Sequence, residues 1–242
     1  MFSILDNVLA DKGFFINLDN SNDRLHHINN LISKYNIKNL VRFPAQTDEL
    51  KVYSCTKSHL ELFKLAKKEN LEVIFVGEDD FNIEDLCYYP KQKKQFSEVL
   101  KNVILDLKNV DWDVVLFGCN PKEDLIYVTD NLYSVTKSTG SWAYLIKKRA
   151  YEHLINIINY KRDYIAIDDH LCLLSEKGFK VLTTIPLLIN HGVGFESTIQ
   201  PNGPVNYNVW IQGNYHNFIY DKPNYNKPIN RNDSLNKVLN IK

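Results

Sequence analysis

The residues best suited to chemistry are three consecutive acids, Glu78-Asp79-Asp80, which follow the apolar run Val73-Ile74-Phe75-Val76 and Gly77 directly. Adjacent carboxylates repel one another, so such a run is costly unless a cation or water relieves it. Hard divalent cations such as Mg²⁺ and Mn²⁺ take oxygen ligands, and often bind one or two carboxylates together with substrate phosphates. Alternate residues of an extended chain share a side, which predicts that Glu78 and Asp80 point the same way. The competing reading is a solvated acidic turn that caps a helix, and the position at the end of a buried strand weighs against it.

The elements that position these acids follow from apolar spacing. Gly13–Leu18, Leu40–Ala45, Val73–Val76 and Val114–Phe117 read as buried strands, as do Leu125–Val128, Leu132–Val135, Ala143–Ile146 and Lys180–Ile185. Asn20, Ser21 or Asn22 suits the cap of a helix carrying Leu25, Ile28, Leu31, Ile32 and Tyr35 at helical spacing. Ser54 or Thr56 suits the cap of a second helix through Leu60, Phe63 and Ala66. Further helices are expected over Lys93–Leu107, over Arg149–Ile158 and from Asp168. Alternating strand and helix imply an α/β fold with a mainly parallel sheet flanked by helices. Ligands of such sheets lie beyond the carboxyl ends of the strands, which directs attention to the loops after Leu18, Gly77 and Gly118. Residues 1–200 are expected to form one domain, and the Asn/Tyr/Pro-rich stretch 201–242 a C-terminal arm packed on it or partly mobile.

The 242 residues include 29 basic and 29 acidic side chains. That balance argues against a nucleic-acid partner and against a polybasic membrane anchor. Cys55, Cys87, Cys119 and Cys172 are far apart without a C-x-x-C pair, which favours buried free thiols over a zinc ribbon, a redox motif or a disulfide framework. No stretch approaches the ~20 apolar residues of a membrane span, and the N-terminal apolar run is too short for a signal peptide. A soluble cytoplasmic protein is therefore expected, in the host cytoplasm if the gene is viral. The 28 Asn against 6 Ala reflect an AT-rich genome and carry no catalytic information.

Several blocks, in order, resemble the family 25 glycosyltransferases, which include lipooligosaccharide and collagen galactosyltransferases. Phe15-Ile16-Asn17-Leu18-Asp19 with Asp23-Arg24 is similar to the family's opening strand and Asp-Arg turn. Cys55-Thr56-Lys57-Ser58-His59-Leu60 resembles its Gly-Cys-x-x-Ser-His block, and Val76–Phe81 its Leu-Glu-Asp-Asp motif. Gly140–Ile146 resembles its Gly-Thr-x-Ala-Tyr segment, Ile167-Asp168-Asp169 its Val-Asp, and Pro186–Leu188 through Ser197–Ile199 its closing segment. Asn20 and Ser21 replace the family's basic residues after the first Asp, and Ser54 its Gly, so weaker donor-phosphate contacts are expected.

The resemblance implies a single-domain nucleotide-sugar transferase (GT-A-type) fold. It also implies a metal-dependent, inverting transfer of galactose or glucose from a UDP-sugar to a hydroxyl on a glycan or glycoprotein. On that reading Asn17, Leu18 and Asp19 line the nucleotide pocket, and Arg24 approaches the diphosphate unless it is a surface partner of Asp23 or Asp19. Asp80 is the direct Mn²⁺ or Mg²⁺ ligand, Glu78 bridges to ribose or a metal-bound water, and Asp79 completes the donor site together with His59, unless His59 is a packing residue that orients the Glu-Asp-Asp backbone. His191 is a candidate extra metal ligand, and Trp142 a sugar-stacking ring unless it belongs to the core. Inversion requires one general base, for which Asp168 and Asp169 are the candidates, one acting while the other caps the helix. His26, His27, His153, His170 and His216 read as structural or solvated. The alternatives are a nucleotide-sugar hydrolase or nucleotidyltransferase, and an inactive binding module of the same fold.

Overall fold

Strands that are apolar on both faces must be covered by helices on each side. A computed structural model, which describes residues 9–48, 51–89, 92–159, 165–191 and Phe195, has that arrangement. The first half runs β1 (Lys12–Asn17), α1 (Asn22–Tyr35), β2 (Leu40–Pro44), α2 (Lys51–Lys68), β3 (Val73–Glu78), β4 (Phe81–Asn82), β5 (Leu86–Tyr89), β6 (Gln92–Gln95) and α3 (Phe96–Leu107). The second half runs β7 (Val114–Pro121), β8 (Ile126–Tyr127), β9 (Leu132–Ser134), β10 (Ser138–Lys147), α4 (Lys148–Ile157), α5 (Ile167–Leu173), β11 (Val181–Thr184) and β12 (Asn190–His191).

Eight strands form the central sheet in the order β2-β1-β3-β10-β7-β11-β9-β8. β1 is parallel to β2 and β3, and β7 to β11, whereas β10 is antiparallel to both β3 and β7. Thus β2, β1, β3, β7, β11 and β8 share one direction, the expected mainly parallel set, while β10 and β9 run against them and make four of the seven neighbouring pairings antiparallel. Phe15, Phe75, Val115, Phe117 and Leu145 pack on one face against Ile28 and Leu31 of α1 and Val99, Leu100 and Val103 of α3. Phe14, Ile16, Ile74, Val76, Leu116 and Tyr144 pack on the other against Phe63 of α2, Leu154 of α4 and Leu171 of α5. Burial of alternate residues on opposite faces explains why these strands read as continuous apolar runs.

Some boundaries differ from the sequence expectation. α2 begins at Lys51, so neither Ser54 nor Thr56 caps it. Ser54 Oγ instead accepts the Asp48 N–H at 2.8 Å and Ser58 Oγ the Gln46 N–H at 2.8 Å, fastening the preceding loop to the helix flank. α3 begins at Phe96 because Gln92–Gln95 pairs with Leu86–Tyr89 in a hairpin. β10 starts well before Ala143, with register shifts between Thr139 and Tyr144, and β7 continues past Gly118 to Pro121. All four cysteines are free, with Cys55 half-buried and the others buried. Among the described residues no helix is long and apolar enough to cross a membrane. The expected arm 201–242, Ser197–Ile199 and His216 lie outside the described residues.

After β11 the chain returns across β7. The N–H groups of Leu188 and Ile189 both donate to the Phe117 carbonyl, at 3.0 and 3.1 Å, and β12 then pairs antiparallel with β4. Gly118 makes this crossing possible, since a Cβ there would lie 1.9 Å from the Ile189 carbonyl oxygen. Backbone cannot yield as a flexible side chain does. Gly118→Ala is therefore expected to lower stability by about 1–3 kcal/mol, measured as a reduced midpoint of urea unfolding.

Candidate functional site

Strand alternation puts Glu78 on the same face as Val76, toward α2, and it stops there because Asp79 and Asp80 form a turn. Glu78, expected to point the same way as Asp80, instead meets Ser141 and His59, while Asp80 meets Arg24 and His191. Arg24 Nη1 donates to Asp79 Oδ1 at 2.8 Å and to Asp80 Oδ2 at 2.8 Å. Asn17 Nδ2 donates to Asp79 Oδ2 at 2.8 Å and to the Ser21 carbonyl at 3.2 Å. Asn17, Arg24, Asp79 and Asp80 are all buried. Arg24 is thus neither an outward diphosphate donor nor a surface partner of Asp23 or Asp19. It shares the inner face of α1 with Ile28 and Leu31, and a cation buried there requires counter-charges.

Asp19 is exposed and Leu18 half-buried at the carboxyl end of β1. The cation beside Asp19 is Arg42 of β2, which the sequence reading did not single out. Its Nη2 donates to Asp19 Oδ1 at 2.6 Å and its Nε to Asn17 Oδ1 at 2.8 Å. The signal available was the adjacency of β1 and β2, which registers Arg42 opposite Phe15, two residues before Asn17.

The β12–β4 pairing sets His191 beside the acidic turn, with Nε2 3.3 Å from Asp80 Oδ2. His27 Nε2 lies 2.9 Å from the Phe81 carbonyl and steadies the residue that follows Asp80. Trp142 is buried, its ring against His191 (centroids 6.3 Å apart, 75° between planes) and over Gly140. Packed so, it belongs to the core and presents no open face for a sugar. Asp80 Oδ1 is buried without a hydrogen-bond partner. A carboxylate oxygen left bare beside a second acid is a fitting donor for a hard cation, so Asp80 and His191 are the residues placed to hold one.

On the α2 side, Glu78 Oε1 accepts a hydrogen bond from Ser141 Oγ at 2.6 Å and lies 4.0 Å from His59 Nε2. His59 Nδ1 is 2.7 Å from the Tyr144 hydroxyl, and the two rings stack. Burial, then the charge of Asp80, pushes the Glu78 carboxyl up to about 8, although 26% of its side chain remains exposed. Burial lowers His59 to about 3. Burial also raises Asp79 against the opposing pull of Arg24. At Asp80 burial acts upward too, but His191 and Arg24 outweigh it and hold the carboxyl below its ordinary value.

Asp168 and Asp169 occupy the first turn of α5, whose N-cap position is Ala166 without a side-chain cap. Neither acid caps the helix, contrary to expectation. Asp168 Oδ2 accepts the Gly140 N–H at 2.8 Å and Oδ1 the Asp169 N–H at 3.1 Å. Gly140 (φ +87°) precedes Ser141 in the irregular stretch of β10, so one backbone excursion reaches both Asp168 and Glu78. Such bulges re-aim side chains near functional sites. Asp169 is exposed, and partial burial followed by the charge of Asp168 raises its carboxyl.

Two outcomes follow for the protein freed of divalent ions. Arg24→Gln leaves Asp79 and Asp80 buried without their cation and is expected to cost about 3–5 kcal/mol in urea unfolding. Glu78, raised in the folded state, contributes stability that is present below about 4.5 and lost as pH rises toward about 8. His59, lowered in the folded state, contributes stability that is present above about 6.5 and lost as pH falls toward about 3. The two slopes offset one another between about 4.5 and 6.5, so thermal melts should show a plateau there with a fall on either side. Glu78→Gln should flatten the alkaline fall.

Comparison with known proteins supplies the family. The chain resembles the structure of a glycosyltransferase involved in glycosylation of the major capsid of PBCV-1, with 9% identity and a TM-score of 0.45 over 74% of this chain and 92% of that one. It also resembles the catalytic domain of Drosophila beta1,4-galactosyltransferase 7, with 9% identity and a TM-score of 0.40 over 74% and 69%. The inositol-1-phosphate CTP transferase of T. maritima aligns with 14% identity and a TM-score of 0.38 over 72% and 70%. Likenesses this distant say nothing of what the chain does. No curated protein sequence matches it. The family model for glycosyltransferase family 25 (LPS biosynthesis protein), however, matches residues 47–171, from the loop before α2 to the middle of α5. That span is more than half of the chain and takes in His59, the acidic turn, Ser141 and both acids of α5, and the chain belongs to glycosyltransferase family 25.

Proposed function

We propose that this glycosyltransferase is a metal-dependent, inverting hexosyltransferase that moves galactose or glucose from a UDP-sugar to a hydroxyl of a glycan or glycoprotein. The observation that carries the metal-dependent part is the bare, buried Oδ1 of Asp80, in an acid pair that shares one guanidinium. Asp80 and His191 would hold Mn²⁺ or Mg²⁺, and Arg24 fixes the orientation of the Asp80 carboxylate. A divalent cation bound there supplies charge neutralisation for the departing UDP diphosphate.

The remaining roles fall to side chains at the end of β1, on the neighbouring β2 and in the first turn of α5. Asn17, Leu18 and Asp19 line the nucleotide pocket, with Arg42 holding Asn17 and Asp19 in place. Arg42 stands where Asn20 and Ser21 offer no charge, and so contributes the positive field facing the donor. Asp168 is the base. Its carboxylate, oriented by two N–H groups, takes the proton of the acceptor hydroxyl as that oxygen bonds to the anomeric carbon and the bond to UDP breaks. A single displacement of this kind inverts the anomeric centre.

The test is a panel of UDP-sugars with Mn²⁺, with and without candidate acceptors. Acceptor-dependent UDP release that EDTA abolishes is the expected result. Asp80→Asn should reduce it by about 10²–10³-fold. Asp168→Asn should lower kcat by about 10²–10⁴-fold with donor KM unchanged. Release of UMP would indicate pyrophosphatase or nucleotidyl chemistry, and absence of both turnover and a UDP-induced thermal shift would leave only a binding module.

A further inference from the structure

Cys55, His59 and Glu78 converge on the α2 side of β3, away from the Arg24 clamp. Cys55 and His59 are four residues apart on α2 and so lie on one helix face. Glu78 meets them from the end of β3. One donor atom from each, a sulfur, an imidazole nitrogen and a carboxylate oxygen, lies within 4.8 Å of the other two. A second, independent observation points to a ligand. His59 is 1% exposed, and its Nε2 is buried without a hydrogen-bond partner, directed at Glu78 Oε1 4.0 Å away.

The surroundings of the trio are those of a metal centre. A metal-bound histidine usually has its other ring nitrogen fixed by a partner, and ligating carboxylates are themselves hydrogen-bonded. Here Tyr144 holds His59 Nδ1 and Ser141 holds Glu78 Oε1. With Nδ1–H donating to the Tyr144 hydroxyl, the Nε2 lone pair is free to coordinate.

We propose that Cys55, His59 and Glu78 form a second cation site, selective for a zinc-class ion and distinct from the hard-cation site at Asp80. Sulfur and imidazole donors prefer Zn²⁺ to Mg²⁺ or Mn²⁺, which favour all-oxygen shells. Zn–N and Zn–O bonds of about 2.0 Å and a Zn–S bond of about 2.3 Å require the donors to close by about 1 Å. Three protein ligands leave a fourth position for water or a substrate oxygen. The site pins α2 to β3 immediately behind the acidic turn. It rests on geometry alone and stands whether or not the donor is a UDP-sugar.

The experiment uses the full chain stripped with chelator and titrated with Co²⁺ as a spectroscopic substitute for Zn²⁺. The expected result is a thiolate-to-cobalt charge-transfer band that saturates at one ion per chain and is displaced by Zn²⁺. That band should vanish in Cys55→Ser, weaken by about tenfold or more in apparent affinity in His59→Gln, and persist in Asp80→Asn. In the unsubstituted protein, Zn²⁺ should protect Cys55 from iodoacetamide, read by peptide mass spectrometry, which removes any dependence on how the variants fold. No charge-transfer band, a band that survives Cys55→Ser, a band lost in Asp80→Asn, or equal alkylation of Cys55 with and without Zn²⁺ would each overturn the proposal.

Discussion

The arrangement depends on one guanidinium buried between two carboxylates. Arg24 on the inner face of α1 would be prohibitively placed without a counter-charge, and Asp79 and Asp80 would repel one another without a cation. Each side of the pair makes the other tolerable, and together they lock α1 to the turn that follows β3. The neutralisation is incomplete. Two acids share one Arg24, and Asp80 keeps a bare oxygen. That bare oxygen, beside Arg24 and His191, is the feature on which the proposed divalent-cation site rests.

The edge of β3 separates two chemical environments. Toward α1 are hard oxygen donors, an arginine and His191, delivered by the return of the chain across Gly118. Toward α2 are Glu78, His59 and Cys55, backed by Tyr144 and Ser141. The irregular stretch of β10 serves both the Glu78 side and α5, since Ser141 Oγ bonds Glu78 while the preceding Gly140 N–H bonds Asp168. A regular ladder from Thr139 to Tyr144 would carry Ser141 at a different register, with the link between β3 and α5 lost.

Much of the architecture was readable from the chain because periodicity is a local property. Phe14 and Phe15, or Phe75 and Val76, alternate between two covered faces and so stand out as short apolar runs, and Val99, Leu100 and Val103 recur at helical spacing. Boundaries were misread where a hydroxyl had two possible uses. Ser54 has the chemistry of a cap, yet its Oγ serves the loop at Asp48. The irregular part of β10 was missed because Gly140-Ser141-Trp142 carries no strand pattern of its own.

The sequence by itself determined the strand–helix order of the central sheet, the cysteines as free thiols and the acids at the end of β3, along with the blocks that mark the family. Those features depend on residue type and near-neighbour spacing. Only the tertiary structure decided which charges meet. Arg24 lies 55 residues from Asp79 and His191 more than a hundred from Asp80, and no local pattern encodes such distances. It is the sheet order, which sets β1 beside β3 and brings β12 back to β4, that gives a row of acids two sets of partners on either side of one strand.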